Sequence, residues 1–104
     1  MLIIGENKLA NDYIKLISSL ANMKIVAVVK EREQLVEEQS KHQLRMESVD
    51  SLKSLLQEKI DIILETTGNR QLEQFLIKQK CDAIIIRKTI LEMLLPFVYS
   101  WSEQ

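Results

Sequence analysis

Short apolar runs and amphipathic stretches alternate about five times along this chain, and that alternation is the feature that most narrows its fold. Leu2-Ile3-Ile4 is a brief β-type run stopped by Gly5. Leu9, Ala10, Tyr13, Ile14, Ile17, Leu20 and Ala21 then recur at helical spacing until about Asn22. Lys24-Ile25-Val26-Ala27-Val28-Val29 is β-branched and apolar on both faces, as expected of a strand covered on each side by helices. A second helix is predicted from about Glu31, with few apolar residues beyond Leu35 and Val36. Gln43-Leu44-Arg45-Met46 alternates polar and apolar and suits a short edge strand. Asp50 reads as the N-cap of a third helix with Leu52, Leu55 and Leu56 on one face.

The pattern continues in the second half. Ile60-Asp61-Ile62-Ile63-Leu64-Glu65-Thr66-Thr67 is a strand ended by Gly68 and Asn69, and Leu72, Phe75 and Leu76 give the next helix its buried face. Cys81-Asp82-Ala83-Ile84-Ile85-Ile86 forms a fifth strand, and a last helix begins at Lys88 or Thr89 and runs toward Trp101. Short connections between alternating elements predict an α/β fold: three layers, with a doubly wound parallel sheet of about five strands in the order 3-2-1-4-5. No repeat, low-complexity tract or linker interrupts it, so residues 1–104 read as a single domain.

Charge and composition exclude several classes of function. A formal net charge of -1 gives phosphate backbones no global attraction, so direct nucleic-acid binding is not expected. The single cysteine, Cys81, allows no internal disulfide and no cysteine zinc cluster, and His42, the one histidine, cannot build a multi-histidine metal site. Cys81 is read as a core or boundary residue and His42 as a surface residue. Met1 leads straight into a strand rather than a basic-then-apolar leader, which makes the cytoplasm the expected compartment. The longest apolar candidate, Ile90 to Tyr99, is broken by Glu92 and Pro96 and falls short of the roughly 18–20 residues that span a bilayer.

The chain has only two glycines, Gly5 and Gly68, each just past the carboxyl end of a strand and just before a helix. In a sheet of order 3-2-1-4-5 those strands are neighbours, and their ends border the crevice at the topological switch point, where ligands of this architecture bind. That juxtaposition motivates a candidate site at Gly5, Glu6, Asn7, Thr66, Thr67, Gly68 and Asn69, beside the plainer role of glycine in ending a strand with positive φ. Glu65, near the exit of a central strand, must find a partner or water, which fits a structural hydrogen-bonding role. Asp61 and Glu65 lie on one face of their strand but roughly 13 Å apart, too far for a coupled acid–base pair. No nucleophile-elbow pattern surrounds the serines, and no catalytic residue is assigned.

Ile3-Ile4-Gly5, Ile25-Val26-Ala27-Val28-Val29 and Asp61-Ile62-Ile63-Leu64-Glu65-Thr66-Thr67-Gly68-Asn69 together resemble the NAD(P)-binding Rossmann domains of homoserine-dehydrogenase-like oxidoreductases. They are more similar still to Rossmann-like modules at the amino end of some bacterial transcription activators and sensor kinases, which share a strand ending in E-x-T-G-N. Against the dinucleotide pattern G-x-G-x-x-G only Gly5 matches; Asn7 and Ala10 take the second and third glycine positions. Glu6 adds a carboxylate where a dianion would sit, partly offset by Lys8. Lys30 stands where an acidic residue usually receives the ribose hydroxyls, and with Arg32 it suits a 2′-phosphate, making NADP or another nucleotide less disfavoured than NAD; the same cluster also reads as a solvated helix start. The resemblance thus implies a non-catalytic ligand-sensing or dimerisation module of a bacterial signalling or transcription-regulatory protein. Its alternative is the NAD(P)-binding domain of an oxidoreductase whose catalytic part is absent.

The last helix carries more apolar surface than one packing face needs. Ile90, Leu91, Leu94, Leu95 and Val98 form a broad face expected to meet the sheet, while Met93, Phe97, Tyr99 and Trp101 spread around the remainder. A homodimer through this helix, or an attached downstream domain, is the expected partner. Pro96 is expected to kink the helix.

Overall fold

The computed structural model describes residues 1–30, 44–79 and 81–102. Five strands form one parallel sheet: β1 (Leu2–Ile4), β2 (Ala27–Lys30), β3 (Met46–Ser48), β4 (Ile62–Glu65) and β5 (Ile84–Ile86), in the spatial order β3-β2-β1-β4-β5. Four helices complete the described elements: α1 (Lys8–Ser18), α2 (Leu52–Leu55, entered through a 3-10 turn at Val49–Ser51), α3 (Arg70–Lys78) and α4 (Lys88–Ser102). The three-layer, doubly wound arrangement and its strand order are those that the sequence pattern predicts.

The sheet divides two cores by the two-residue alternation of its strands. Leu2, Ile4, Ala27, Val29 and Ile63 face α2 and α3 and pack with Leu52, Leu55, Leu72 and Leu76. Ile3, Val28 and Leu64 face the other way, toward Ala10, Tyr13, Ile14 and Ile17 of α1 and Leu91 of α4. Every residue of β1 is fully buried, as a central strand covered on both faces requires.

Element ends differ from the sequence reading where local bonding takes over from hydrophobic pattern. Helix α1 stops at Ser18, short of Asn22, because the amide and hydroxyl of Ser19 both donate to the Leu16 carbonyl and the Leu20 amide donates to Ile17, tightening the last turn. Strand β2 begins at Ala27 rather than Lys24; the segment before it is instead laced to the chain's first residue, whose amine donates to Lys24 and whose carbonyl accepts from Val26. Strand β3 starts three residues and ends two residues later than expected, at Met46–Ser48. It runs straight into the 3-10 turn, so Asp50 sits inside the first turn and Ser48 takes the cap position without a side-chain bond. Strands β4 and β5 are likewise shorter than their apolar runs. The expected second helix from Glu31, with Leu35, Val36 and His42, lies outside the described residues.

Helix α4 continues through Pro96 to Ser102 and is rotated relative to expectation. Among the described side chains of α4 only Leu91 and the half-buried Leu95 join the core, while Ile90 and Leu94, expected on the packed face, are exposed with Met93 and Phe97. The hydroxyl of Tyr13 fixes this rotation by donating to the Leu91 carbonyl at 2.7 Å. The side chains of Val98, Tyr99 and Trp101 are outside the described residues. No helix among the described residues is long and apolar enough to cross a membrane.

Candidate functional site

Register assembles the site. Ile4 of β1 is level with Val29 of β2 on one side and with Glu65 of β4 on the other, so Gly5, Lys30 and Thr66 emerge together at the carboxyl edge. The Gly5 amide donates to the Val29 carbonyl at 2.8 Å, and the Thr66 amide donates to Ile4 at 2.9 Å, extending the ladder by one step beyond each strand.

Both glycines have positive φ, +124° at Gly5 and +70° at Gly68. At Gly5 close packing adds to the requirement: a β-carbon there would lie 2.0 Å from the Thr66 hydroxyl oxygen. That hydroxyl is itself held, donating to the Ile4 carbonyl at 2.7 Å within the buried edge. Gly68 faces the Lys88 stem, 2.9 Å from the position of an added β-carbon, at the start of α4. In the sequence Lys88 marks only a helix start, and no periodicity or motif links it to Gly68.

Asn7 and Asn69 cap the two helices that leave the crevice. The Asn7 Oδ1 accepts from the Ala10 amide at 2.9 Å, and its Nδ2 donates to the Thr66 carbonyl at 2.9 Å, bridging the β1–α1 turn to the β4–α3 turn. Asn69 Oδ1 accepts from the amides of Gln71 and Leu72 at 2.9 and 3.3 Å. Each cap satisfies amides that a helix start would otherwise offer to an anion.

Glu65 completes this internal bonding. It is fully buried, and its Oε1 accepts from the Thr67 amide at 2.7 Å and from the Thr67 hydroxyl, while Oε2 accepts from the Gly68 amide at 3.1 Å. The Thr67 hydroxyl in turn accepts from the Asn69 amide at 3.0 Å. A carboxylate from the strand therefore occupies the donors of the turn that follows it, as a bound anion would.

Of the sequence-derived site residues, Gly5, Asn7, Thr66, Thr67, Gly68 and Asn69 are joined by these contacts. Glu6 follows Gly5 half-buried, and Lys30 stands half-buried at the end of β2 beside the Gly5–Val29 bond; its proposed companion Arg32 is outside the described residues. An open groove of about 370 Å³ runs beside the crevice between α2 and α3, lined by Val49, Leu52, Asn69, Gln71, Leu72 and Phe75. Only Asn69 is common to the two. Among the described residues no three His, Cys, Asp or Glu side chains are grouped to hold a metal ion.

The fold defines a class, the parallel doubly wound α/β domain, with its switch point between β1 and β4, where the Gly5–Asn7 and Thr66–Asn69 turns meet. Within that class, no family model, curated protein or solved structure matches this chain.

Proposed function

We propose that this chain is a non-catalytic Rossmann-like module of a bacterial signalling or transcription-regulatory protein, working in the cytoplasm, whose crevice no longer holds a dinucleotide. The observation that carries this reading is the Glu65 carboxylate bound by the Thr67 and Gly68 amides of its own loop. With that carboxylate in place, the Thr67 and Gly68 amides of the turn facing the Gly5–Ala10 loop are not free to bind an anion. Asn7 adds a second obstacle, because its side chain spans the gap between the two turns where a glycine would leave the backbone open.

The resemblance of the Glu65-Thr66-Thr67-Gly68-Asn69 strand end to regulatory modules supports the assignment to signalling, and a lone half-buried Cys81 suits a reducing compartment. Between ligand sensing and assembly, the internal bonding of the crevice favours assembly. A small ligand would act only by binding two states of the module unequally, and its partner, a second copy or an attached domain, would meet the outer face of α4.

Thermal unfolding with NAD, NADP and their reduced forms tests this reading. A dinucleotide at about 100 times its dissociation constant adds about 2.7 kcal/mol to stability, on the order of 10 °C for a domain of this size. The expected result is no shift with any of the four. A rise of several degrees with NADP would instead assign the chain to oxidoreductase cofactor binding, with Lys30 on the 2′-phosphate.

A further inference from the structure

We propose that the outer face of α4 is a self-docking surface through which two copies of this chain form a symmetric dimer. This takes up the partner in the proposed function but stands on the helix alone. Ile90, Met93, Leu94 and Phe97 follow the spacing i, i+3, i+4, i+7 and form one continuous stripe. They are 44%, 61%, 42% and 72% exposed, although the inward Leu91 beside them is 1% exposed. Ile84, 64% exposed on the outermost strand, looks to the same side of the sheet, since Ile86 two residues on packs in the cluster with Leu91.

Charge argues for a second copy as the occupant. Docking across a two-fold axis sets the residues at the axis near their own counterparts, so an unpaired charge there would repel itself. The stripe carries no charged residue, and the charges at the start of α4 are already paired within the chain: Lys88 with Glu92 at 3.7 Å and Arg87 with Glu73 at 3.5 Å. A partner of strong charge finds nothing complementary here.

The area agrees. These five side chains offer on the order of 600 Å² of exposed surface, so two copies would bury about 1,200 Å², the lower end for a specific, stable interface. The surface on one copy, about 600 Å², is also near the largest apolar patch a monomer normally leaves bare. With the axis near Met93 and Leu94, antiparallel helices bring Ile90 against the partner's Phe97 and back again.

Sedimentation and light scattering of the full 104-residue chain over a concentration series test the proposal. The expected mass is twice the 12.1 kDa of one copy. Phe97→Glu and Met93→Lys, at exposed positions, each should return the single-copy mass with an unchanged circular dichroism spectrum. Ile77→Glu, 65% exposed on α3 across the sheet, should leave the dimer intact. Leu94→Cys in a Cys81→Ser background should form an intermolecular disulfide on oxidation. A wild-type mass of one copy throughout, as results when the stripe serves a different domain or protein, overturns the proposal. So does a dimer that survives both α4 substitutions, or one that leaves Leu94→Cys uncrosslinked. Mass and dinucleotide titration are independent readouts, so failure of one reading leaves the other identifiable.

Discussion

Gly5 and Gly68 occupy similar places in the chain but are required to different degrees. At Gly5 a β-carbon would overlap the Thr66 hydroxyl at 2.0 Å, and that hydroxyl is pinned to the Ile4 carbonyl in the buried edge of the sheet. The φ of +124° adds a backbone conformation that L side chains rarely adopt. At Gly68 the φ of +70° lies in the left-handed region, costing an L residue about 1–2 kcal/mol, and the overlapping atom belongs to the movable stem of Lys88. Gly5→Ala should therefore cost about 3 kcal/mol or more, as a forced shift in a packed region does, and Gly68→Ala only about 1–2 kcal/mol. Urea unfolding of both variants measures the difference. Adding Thr66→Ala to Gly5→Ala should recover part of the loss, because it removes the overlap but leaves the φ. Equal costs at the two glycines would contradict the packing argument.

Among the elements, α1 and α4 are coupled by one buried hydroxyl. Tyr13 is nearly buried, and both its loss of water and the neighbouring Asp12 raise its pKa above the ordinary 10.0. The folded chain thus keeps the phenol proton at a pH where the unfolded chain has released it. The resulting stabilisation is fully present below about pH 10 and is lost as pH rises through the higher folded-state value. Tyr13→Phe should cost about 1 kcal/mol at neutral pH from the lost bond to Leu91, a fall in Tm of about 4–8 °C. It should also flatten the alkaline decline in Tm that wild type shows. A variant with the wild-type alkaline decline would remove Tyr13 as its source. Neither this bond nor the rotation of α4 was legible in the sequence. Leu91 and Leu94 are equally apolar, and a contact 78 residues apart selects between them. The strand order was legible because apolar runs and short connections act locally. Strand ends were less so, since a ladder stops where its neighbour stops. Of the crevice, the two glycines gave the position, and the need of Glu65 for a partner was evident from its place in a strand. That the partner would be the Thr67–Gly68 loop was not, because turn geometry decides it.

For the whole molecule, size and assembly are linked. A domain of about this length buries only around two-thirds of the surface its unfolded chain exposes, so its margin of stability is small and covering the α4 stripe is a substantial addition. Pairing that binds the folded chain and not the unfolded one has a signature in thermal unfolding. Two unfolded chains arise from one folded dimer, so mass action raises the midpoint with protein concentration. With an unfolding enthalpy of about 0.7 kcal/mol per residue, the expected rise is about 3–4 °C for each tenfold increase in concentration. Calorimetry across two decades should give this slope for wild type and for Ile77→Glu. For Phe97→Glu the midpoint should be flat and equal to the low-concentration limit of wild type, since the substituted side chain is exposed in the single copy and contributes little to its core. A concentration-independent midpoint in wild type would mean that the dimer, if it forms, unfolds only after it separates, and the stripe would then contribute nothing to the stability of the fold.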